Sequence, residues 1–290
     1  MINPYLIDEP TLISVSGGRT SGLLLWKVLE ANNGFPENSK ACFSNTGLEL
    51  PQTLDFIQDM SDRWGVPITW LEYTGREVKP ETIDSKRPLY NYFYKEVDRD
   101  TASLNGAPFT QLIKDMGCLP NPMSRSCSGQ LKVRTIIRYL EQGLGWERPH
   151  QAFIGIRADE PSRARKLHGR YNGGQDTMCP MWVDGITKEM VGDFWRNDSN
   201  FDLGLPNDNG VTPLGNCLLC HLKGQGHRQS IIKEMGEASN IDWWIKHEKE
   251  YNDQFDRQAP SYEAMKVIAT TQGSLFDADA GTTIPCFCGD

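Results

Sequence analysis

A glycine-rich turn near the start of the chain has residue types that could bind a phosphate. It lies in the segment SVSGGRTSGLLL, between a short apolar run and a leucine-rich stretch. Backbone amides at a helix N-terminus bind anions, and glycines let a phosphate approach without hindrance from a Cβ atom. The segment therefore predicts either a phosphate-binding loop or a plain strand-to-helix turn. The donors in the first case are Ser16, Gly17, Gly18, Thr20 and Ser21.

A second group with chemical potential is the Cys-x-x-Cys pair formed by Cys217 and Cys220. Such a turn directs two thiolates at one metal ion and supplies half of a site. We expect Cys118 and Cys127 to complete it, and four thiolates suit either a [4Fe-4S] cluster or tetrahedral zinc. Two histidines close to the pair offer a mixed zinc site as an alternative. These histidines are His221 and His227.

The other cysteines have different surroundings. Cys42 and Cys179 lie in apolar predicted strands, where a thiol behaves as a small buried hydrophobe. Cys286 and Cys288 lie in the C-terminal segment IPCFCGD, where they could carry a persulfide, attack a bound sulfate ester, complete the metal site or have no role. A reactive thiolate needs a lowered pKa or a neighbouring cation. Because this segment has no cation, activation would come from arginines of the pocket.

Arginines follow a predicted strand in the segment GIRADEPSRARK. Guanidinium groups bind phosphate or sulfate through two parallel hydrogen bonds, which lysine cannot reproduce. We expect anion binding from Arg157 first and Arg163 second, with Arg165 as a further candidate. The alternative is a solvated loop in which these side chains pair with Asp159 and Glu160.

The elements that must position these residues alternate between strand and helix. Strands are predicted at TLISVS, KACFSNT and PITWLEY, separated by helices over residues 21–32 and 51–64. Connections of this length imply right-handed crossovers and a doubly wound, mostly parallel sheet of the α/β class. Ligands in such sheets bind at the carboxyl ends of the strands. A later helix, over residues 128–142, would begin at the same edge, which makes Lys132 a further anion ligand.

The rest of the chain divides into an insertion, a second half of the sheet and a Cys-bearing region. We predict a nucleotide-binding domain over residues 1–200 and a mainly helical C-terminal region over residues 201–290. The remaining predicted elements are a long, partly helical insertion over residues 76–126, strands at HQAFIGIR and CPMWV, a helix over 187–197 capped by Thr187, a turn-rich bridge over 201–216 and a helix over 243–257.

Composition excludes several classes of protein. The 290 residues are 38% hydrophobic, enough for one large core with a smaller appended region. A net charge of -8 disfavours general attraction to nucleic acids or anionic membranes, although a local basic groove is compatible with it. No apolar run approaches the roughly 20 residues of a membrane-spanning helix. We expect a soluble cytoplasmic protein whose cysteines serve metal or redox chemistry. The sequence does not decide the oligomeric state, and a homo-oligomer is compatible with it.

Five segments in order over about residues 11–223 resemble the phosphoadenosine-phosphosulfate reductase family of the PP-loop (ATP pyrophosphatase) superfamily. The resemblance implies that the loop of Ser16, Gly17, Gly18, Arg19, Thr20 and Ser21 holds the phosphates of an adenine nucleotide. It also implies that the adenosine end lies near Asn45, Thr46, Gly47 and Glu49. The segments are SGGRTS with NTGLE, CSGQLKVRTIIRYL, GIRADEPSRARK, WVDGITKEMVGDFWRNDSNFDLGLPND and NCLLC.

The resemblance implies an enzyme of sulfur chemistry with one of two reactions. In a reductase, a thiolate of Cys288 or Cys286 attacks the sulfur of a sulfated adenine nucleotide, and a thioredoxin-like thiol donor releases sulfite. In a sulfurtransferase, ATP activates a small molecule or a nucleic acid, and sulfur from a sulfur donor displaces AMP. Thr20 stands where the superfamily has Asp, which weakens the case for magnesium-assisted ATP cleavage. The resemblance favours the [4Fe-4S] cluster over zinc, although Ser126 replaces one family cysteine.

A rival interpretation comes from a different class of protein. The chain could be a non-catalytic module that binds a nucleotide or a nucleic acid and contains a structural zinc ion. Its insertion segment KRPLYNYFYK combines aromatic and basic side chains, which stack on bases and contact phosphates in single-strand binders. The same composition is also typical of a solvated element whose aromatic side chains lie in the core.

Overall fold

Seven strands form one mostly parallel sheet in the computed structural model, which describes residues 3–172 and 174–271. The strands are β1 (Thr11–Val15), β2 (Ser39–Asn45), β3 (Ile68–Val78), β4 (Tyr90–Val97), β5 (His150–Phe153), β6 (Arg170–Asn172) and β7 (Gln175–Met178). Their order in the sheet is β4-β3-β2-β1-β5-β7-β6. The five inner strands are parallel, and the edge strands β4 and β6 are antiparallel to their neighbours.

Helices connect the strands and follow the sheet. In the helix α4 an α-helical turn, Thr135–Arg138, lies between the π-helical segments Ser128–Arg134 and Tyr139–Gly143. No helix in the described ranges is long and apolar enough to span a lipid bilayer. The other α-helices are α1 (Arg19–Asn32), α2 (Pro51–Trp64), α3 (Ala107–Met116), α5 (Pro161–Leu167), α6 (Pro180–Val183), α7 (Lys188–Asp193), α8 (Gln225–Met235), α9 (Ile241–Tyr251) and α10 (Tyr262–Thr271). A π-helical segment, Phe194–Asp198, continues α7, and Pro80–Thr82 and Gly236–Ser239 form short 3-10 helices.

The alternation of side chains along β1 explains why helices cover both faces of the sheet. Successive residues of a strand point to opposite faces. Ile13 belongs to the same buried cluster as Leu24 of α1, whereas Leu12 belongs to a second cluster with Ile136 and Leu140 of α4. Helices therefore pack on both faces, which confirms the predicted α/β class with a mostly parallel sheet.

The insertion differs from its prediction. It adds a strand to the sheet, because β3 continues to Val78 and β4 pairs with it in antiparallel register. Two aromatic side chains of this strand pack against the rest of the protein, since Tyr94 lies edge to face against Tyr139 of α4 and Tyr92 lies against Tyr73 of β3. Phe93, between them, is exposed. The contacts of Tyr92 and Tyr94 agree with the interpretation in which the aromatic residues belong to the core.

Two further elements differ from the sequence-based expectation. The segment CPMWV forms the short helix α6 rather than a strand. Pro180 explains the difference, since proline lacks the N–H that a sheet ladder needs and fits the first turn of a helix. The helix predicted over 243–257 ends earlier, at Tyr251, where Asn252 adopts a left-handed conformation with φ of 47°.

The region after the sheet begins with irregular chain. Residues 201–216 contain turns and one isolated bridge, between Asp208 and Val211, as the turn-rich composition predicts. The helices α9 and α10 then contribute Trp244 and Met265 to the same buried cluster that contains Ile13 of β1. The boundary predicted at residue 200 stays a prediction.

Candidate functional site

The strand order reverses between β1 and β5. From β1, the strands β2 and β3 follow on one side, and β5 and β7 follow on the other. Loops that leave the two strands at such a point diverge and open a crevice at their carboxyl ends, which is where open α/β sheets bind ligands. The loop Ser16–Ser21 follows β1, and Gly155 and Arg157 follow β5. These two loops meet, since a Cβ atom at Gly155 would lie 3.4 Å from the backbone of Ser21.

Gly17 shapes the turn after β1. Its φ of +78° lies in the left-handed region, which residues with a side chain rarely adopt. A Cβ atom at this position would lie 2.4 Å from Cγ2 of Thr53 and 3.1 Å from Cδ1 of Ile57. The turn is therefore pressed against α2 so closely that only glycine fits.

Two serines hold the turn in shape. The backbone amide of Ser16 donates to Ser21 Oγ at 3.1 Å, and the two hydroxyl oxygens lie 3.0 Å apart. Ser21 Oγ in turn donates to the carbonyl of Gly18 at 2.9 Å. The hydroxyl groups of Ser16 and Ser21 thus help to build the turn and do not only face the crevice.

Amide groups at the start of α1 remain available for a ligand. The first backbone bond of the helix runs from Gly22 N to Gly18 O at 3.1 Å, and no side chain caps this end. In the described part of the chain, four preceding amides donate to no carbonyl. They belong to Gly17, Arg19, Thr20 and Ser21. Together with the positive end of the 14-residue helix, they form the kind of environment that binds anions.

The structure corrects the role of the Arg19 side chain. Sequence reasoning grouped Arg19 with the nucleotide ligands, but its guanidinium is buried and bonded within the protein. Both oxygens of Asp202 accept from it at 2.6 Å. It also donates to the carbonyl of Pro206 at 2.9 Å and to that of Leu205 at 2.5 Å. The side chain therefore contacts a segment more than 180 positions later in the chain and is occupied within the protein.

Arg157 links the two loops of the crevice. Its Nη1 donates to Thr20 Oγ1 at 3.1 Å, and its Nε donates to Asp159 Oδ1 at 3.1 Å. Its Nη2 also lies 3.5 Å from Glu160, which bonds Arg163 as well. The pairing with acidic neighbours that formed the alternative interpretation is therefore present, and it holds Arg157 beside the glycine turn.

Lysine and arginine candidates are distributed unequally around the site. Arg165 is exposed on α5, as is its neighbour Lys166. Lys132 instead lines a cavity between α4 and the carboxyl ends of the inner strands, and its Nζ lies 3.9 Å from Glu49 Oε1. Lys132 is therefore placed at the predicted edge of the sheet, and Arg165 is not.

The cavity beside Lys132 is small. Its volume of about 60 Å³ is far below the roughly 300 Å³ at which small-molecule sites begin. It does not enclose a nucleotide, so a nucleotide would bind along the crevice, with this cavity at its edge. The polar lining residues are Ser14, Ser16, Ser44, Ser128, Lys132, Gln175 and Thr177.

The side chains of the predicted adenosine segment are used to build a tight turn. Asn45 Nδ2 donates to Glu72 Oε1 at 2.7 Å, and Asn45 Oδ1 accepts from Gly47 N at 3.0 Å. Glu49 accepts from the amide and the hydroxyl of Thr46, at 3.1 Å and 2.8 Å. These side chains hold the start of α2, and adenosine binding by the backbone of this turn stays a prediction.

The four cysteines predicted as metal ligands are not brought together. Cys217 Sγ lies 3.1 Å from Thr46 Oγ1, and Cys127 lies close enough to affect its pKa. Cys220 lies near Tyr262. Burial raises the pKa of Tyr262, and the nearby Cys220 raises it further. Cys118 is exposed. The two thiols of the Cys-x-x-Cys turn thus meet different surroundings, and within residues 3–172 and 174–271 no three His, Cys, Asp or Glu side chains are grouped as metal ligands.

Metal binding by these four cysteines, as a [4Fe-4S] cluster or as zinc, therefore stays a prediction. The pKa of the Cys217 thiol is raised to about 12, chiefly by burial and also by Glu49, while Lys132 acts to lower it. For the mixed zinc alternative, His221 stacks on Phe255 and His227 Nε2 lies 2.8 Å from the carbonyl of Pro213, and this alternative also stays a prediction.

The remaining cysteine predictions have different outcomes. Cys42 and Cys179 are buried as expected, and burial raises the pKa of both thiols. Cys286 and Cys288, the predicted catalytic thiols, lie outside the described residues. Their proposed role stays a prediction.

Sequence reasoning missed two acidic residues that hold the site together. Asp202 binds Arg19, and Glu72 binds Asn45. Neither has a local spacing signal, since Arg19 and Asp202 are 183 positions apart and Asn45 and Glu72 are 27 apart. Glu72 does lie on an otherwise apolar strand, which is the one feature that could have drawn attention to it.

Comparisons with known proteins add a relative without an assigned function. No protein-family model matches the sequence. The chain is 29% identical over 210 residues to an uncharacterized nin region protein, ORF290, of Escherichia phage lambda, a match that covers 72% of this chain. The match covers 64% of the phage protein, so this chain spans less than two thirds of that relative's length.

Among solved structures, the chain is similar to a phosphoadenylyl-sulfate (PAPS) reductase from Candida auris in a phosphate complex. That match covers 68% of this chain and 80% of the reductase, with a TM-score of 0.39 and 14% identity. At these values the comparison does not assign the chain to a family. The family therefore remains a resemblance based on the sequence motifs.

Proposed function

We propose that this chain is an enzyme that binds an adenine nucleotide in the crevice between β1 and β5 and acts in sulfonucleotide chemistry. The observation that carries the proposal is the group of amides at the start of α1, which donate to no carbonyl in the described chain and lie at the reversal of strand order. Donors of this kind, at the positive end of a helix, suit the phosphates of a nucleotide. The sequence motifs support adenosine as the attached group.

The charges around the turn support a sulfated nucleotide over ATP with magnesium. Thr20 stands in place of the superfamily's acidic residue, and its hydroxyl accepts from Arg157. The turn itself therefore adds no carboxylate, and a cation lies beside it. Fixed positive groups stabilise the negative charge that develops on a leaving phosphate. Lys132 would supply a second positive charge from the α4 side.

The proposed reaction is a thiol attack on the sulfate group. A tail thiolate, from Cys286 or Cys288, would form a bond to sulfur while the bond between sulfur and the phosphate oxygen breaks and adenosine phosphate leaves. A thiol donor of the thioredoxin class would then attack the cysteine sulfur, form a disulfide and release sulfite. The metal site predicted from the sequence takes no part in these steps and stays a prediction.

Binding and product measurements test this proposal. The protein is titrated calorimetrically under anaerobic conditions with phosphoadenosine phosphosulfate, adenosine 3′,5′-bisphosphate and ATP. Lys132→Met should raise the Kd for the bisphosphate about tenfold, because it removes one charged contact to phosphate. Arg134→Met is the matched control, since Arg134 is exposed on the same helix.

The products distinguish the alternatives. Sulfite from the sulfonucleotide, together with a reducing thiol, supports the proposal. Release of pyrophosphate from ATP would contradict the reductase reaction and support the sulfurtransferase reaction. Nucleotide binding without either product would favour the non-catalytic module, and no binding of any nucleotide would contradict the proposed site itself.

A further inference from the structure

Arg19 connects the start of α1 to the 201–206 segment, which runs from Phe201 to Pro206. Its guanidinium makes a two-point ion pair with Asp202, at 2.6 Å for each bond, and reaches the carbonyls of Leu205 and Pro206. Arg19 is 1% exposed, so the pair is sheltered from water on the arginine side. Two-point pairs between guanidinium and carboxylate fix orientation as well as distance.

The backbone of Arg19 is held as firmly as its side chain. Trp195 Nε1 donates to the carbonyl of Arg19 at 2.9 Å. The Trp195 ring also packs on the next turn, where a Cβ atom at Gly22 would lie 2.7 Å from Cζ2. The amide of Arg19 is one of those that donate to no carbonyl, so the contacts that fix this residue also fix donors of the proposed phosphate loop.

The chain that follows the 201–206 segment returns to the same edge of the sheet. Leu218 N donates to the carbonyl of Leu48 at 3.0 Å, and Cys217 Sγ contacts Thr46 Oγ1 at 3.1 Å. One irregular stretch is thus attached at its start to the loop after β1 and at its end to the turn after β2. A shift of this stretch would change both loops together.

We infer that Arg19 is a positioning residue whose ion pair with Asp202 couples nucleotide affinity to the order of the 201–206 segment. The inference rests on the proposed function, because the ligand is the nucleotide of that site. Coupling between two sites is reciprocal. The pair should strengthen nucleotide binding, and the bound nucleotide should stabilise the 201–206 segment.

The experiment measures both directions of the coupling. Affinity for adenosine 3′,5′-bisphosphate is measured by calorimetry for the full-length protein and for Asp202→Asn and Arg19→Lys. Amide hydrogen exchange of residues 201–206 is measured with and without the same ligand. Asp256→Asn is the matched control, because Asp256 binds another buried arginine, Arg228, at 2.9 Å in the C-terminal helices.

Coupling predicts that both Asp202→Asn and Arg19→Lys raise the Kd about tenfold, within the range usual for coupled sites, whereas Asp256→Asn leaves it unchanged. It also predicts that the ligand slows exchange in residues 201–206 of the wild type, and less so in the two variants. A residue with a merely structural role would lower the melting temperature without changing the Kd of the folded protein.

The outcomes separate this inference from the proposed function. If the wild type binds and Asp202→Asn binds equally well, the coupling is wrong and the nucleotide site stands. If the wild type does not bind the bisphosphate, both are wrong. If the variants do not fold, hydrogen exchange of the wild-type protein decides. Slower exchange of residues 201–206 in the presence of the bisphosphate supports the coupling, and unchanged exchange overturns it.

Discussion

Gly17 combines two constraints that a single substitution can measure. Its φ of +78° disfavours any side chain, and a Cβ atom would collide with Thr53. Gly65, at the end of α2, has a similar φ of +65° but nothing within 4 Å of a Cβ atom. A comparison of the same substitution at Gly17 and at Gly65 therefore separates the cost of conformational strain from the cost of steric overlap.

We predict that Gly17→Ala lowers the free energy of unfolding by about 3 kcal/mol, the sum of left-handed strain and overpacking. Gly65→Ala should lower it by about 1 kcal/mol, from strain alone. Urea denaturation followed by circular dichroism measures both. Equal losses in the two variants would mean that the turn is not pressed against α2.

At the scale of elements, a buried carboxylate attaches the insertion to the sheet. Glu72 of β3 is fully buried and accepts from Asn45 Nδ2 at 2.7 Å and from the amide and hydroxyl of Ser103 at 2.6 Å and 2.9 Å. Lys95 of β4 completes the group at 3.0 Å. The loop between β4 and α3 is thereby held over the turn after β2, where Gly106 N donates to the carbonyl of Gly47 at 2.7 Å.

We predict that Glu72→Gln lowers the free energy of unfolding by about 2 to 3 kcal/mol, because an amide cannot accept from all of these donors. Glu96→Gln, on the exposed side of β4, is the control and should change it by less than about 0.5 kcal/mol. Hydrogen exchange of residues 98–106 should be faster in Glu72→Gln only. Unchanged exchange there would show that other contacts hold the insertion.

At the scale of the whole molecule, buried histidines make stability depend on pH. Burial lowers the pKa of His150, His227 and His247 below the ordinary value of 6.5. His247 has partners that suit the neutral ring, since Nδ1 lies 2.8 Å from the carbonyl of Trp243 and Nε2 lies 3.3 Å from the hydroxyl of Thr110. The folded state therefore binds fewer protons than the unfolded state in weakly acidic solution.

We predict that the free energy of unfolding falls as the pH is lowered from 7.0 to 5.5, because a group with a depressed folded pKa stabilises the fold only above its unfolded pKa. Burial raises the pKa of Glu248, which opposes this trend. A comparison with His247→Gln isolates the histidine, and urea titrations at several pH values should give a smaller pH dependence for the variant. An identical pH dependence in the two proteins would contradict the neutral, buried state of His247.

Local features were determined by the sequence itself. The apolar run TLISV, the glycine pair that follows it and the cap at Thr187 each act over a few neighbouring residues. The strand β1, the turn after it and the start of α7 accordingly lie where the sequence predicts them. The placement of Lys132 at the strand ends follows from the same reasoning, since a crossover of known handedness leaves few arrangements.

The tertiary structure alone decided the partners of the polar and thiol groups. Arg19 binds Asp202, which is 183 positions away, and Cys217 contacts Thr46, which is 171 positions away. No spacing rule links such residues, because their distance depends on how the irregular chain after β7 returns to the sheet. The same return brings Cys217 against Thr46 and Cys220 near Tyr262, and among the residues that the structure describes no three His, Cys, Asp or Glu side chains are grouped as metal ligands.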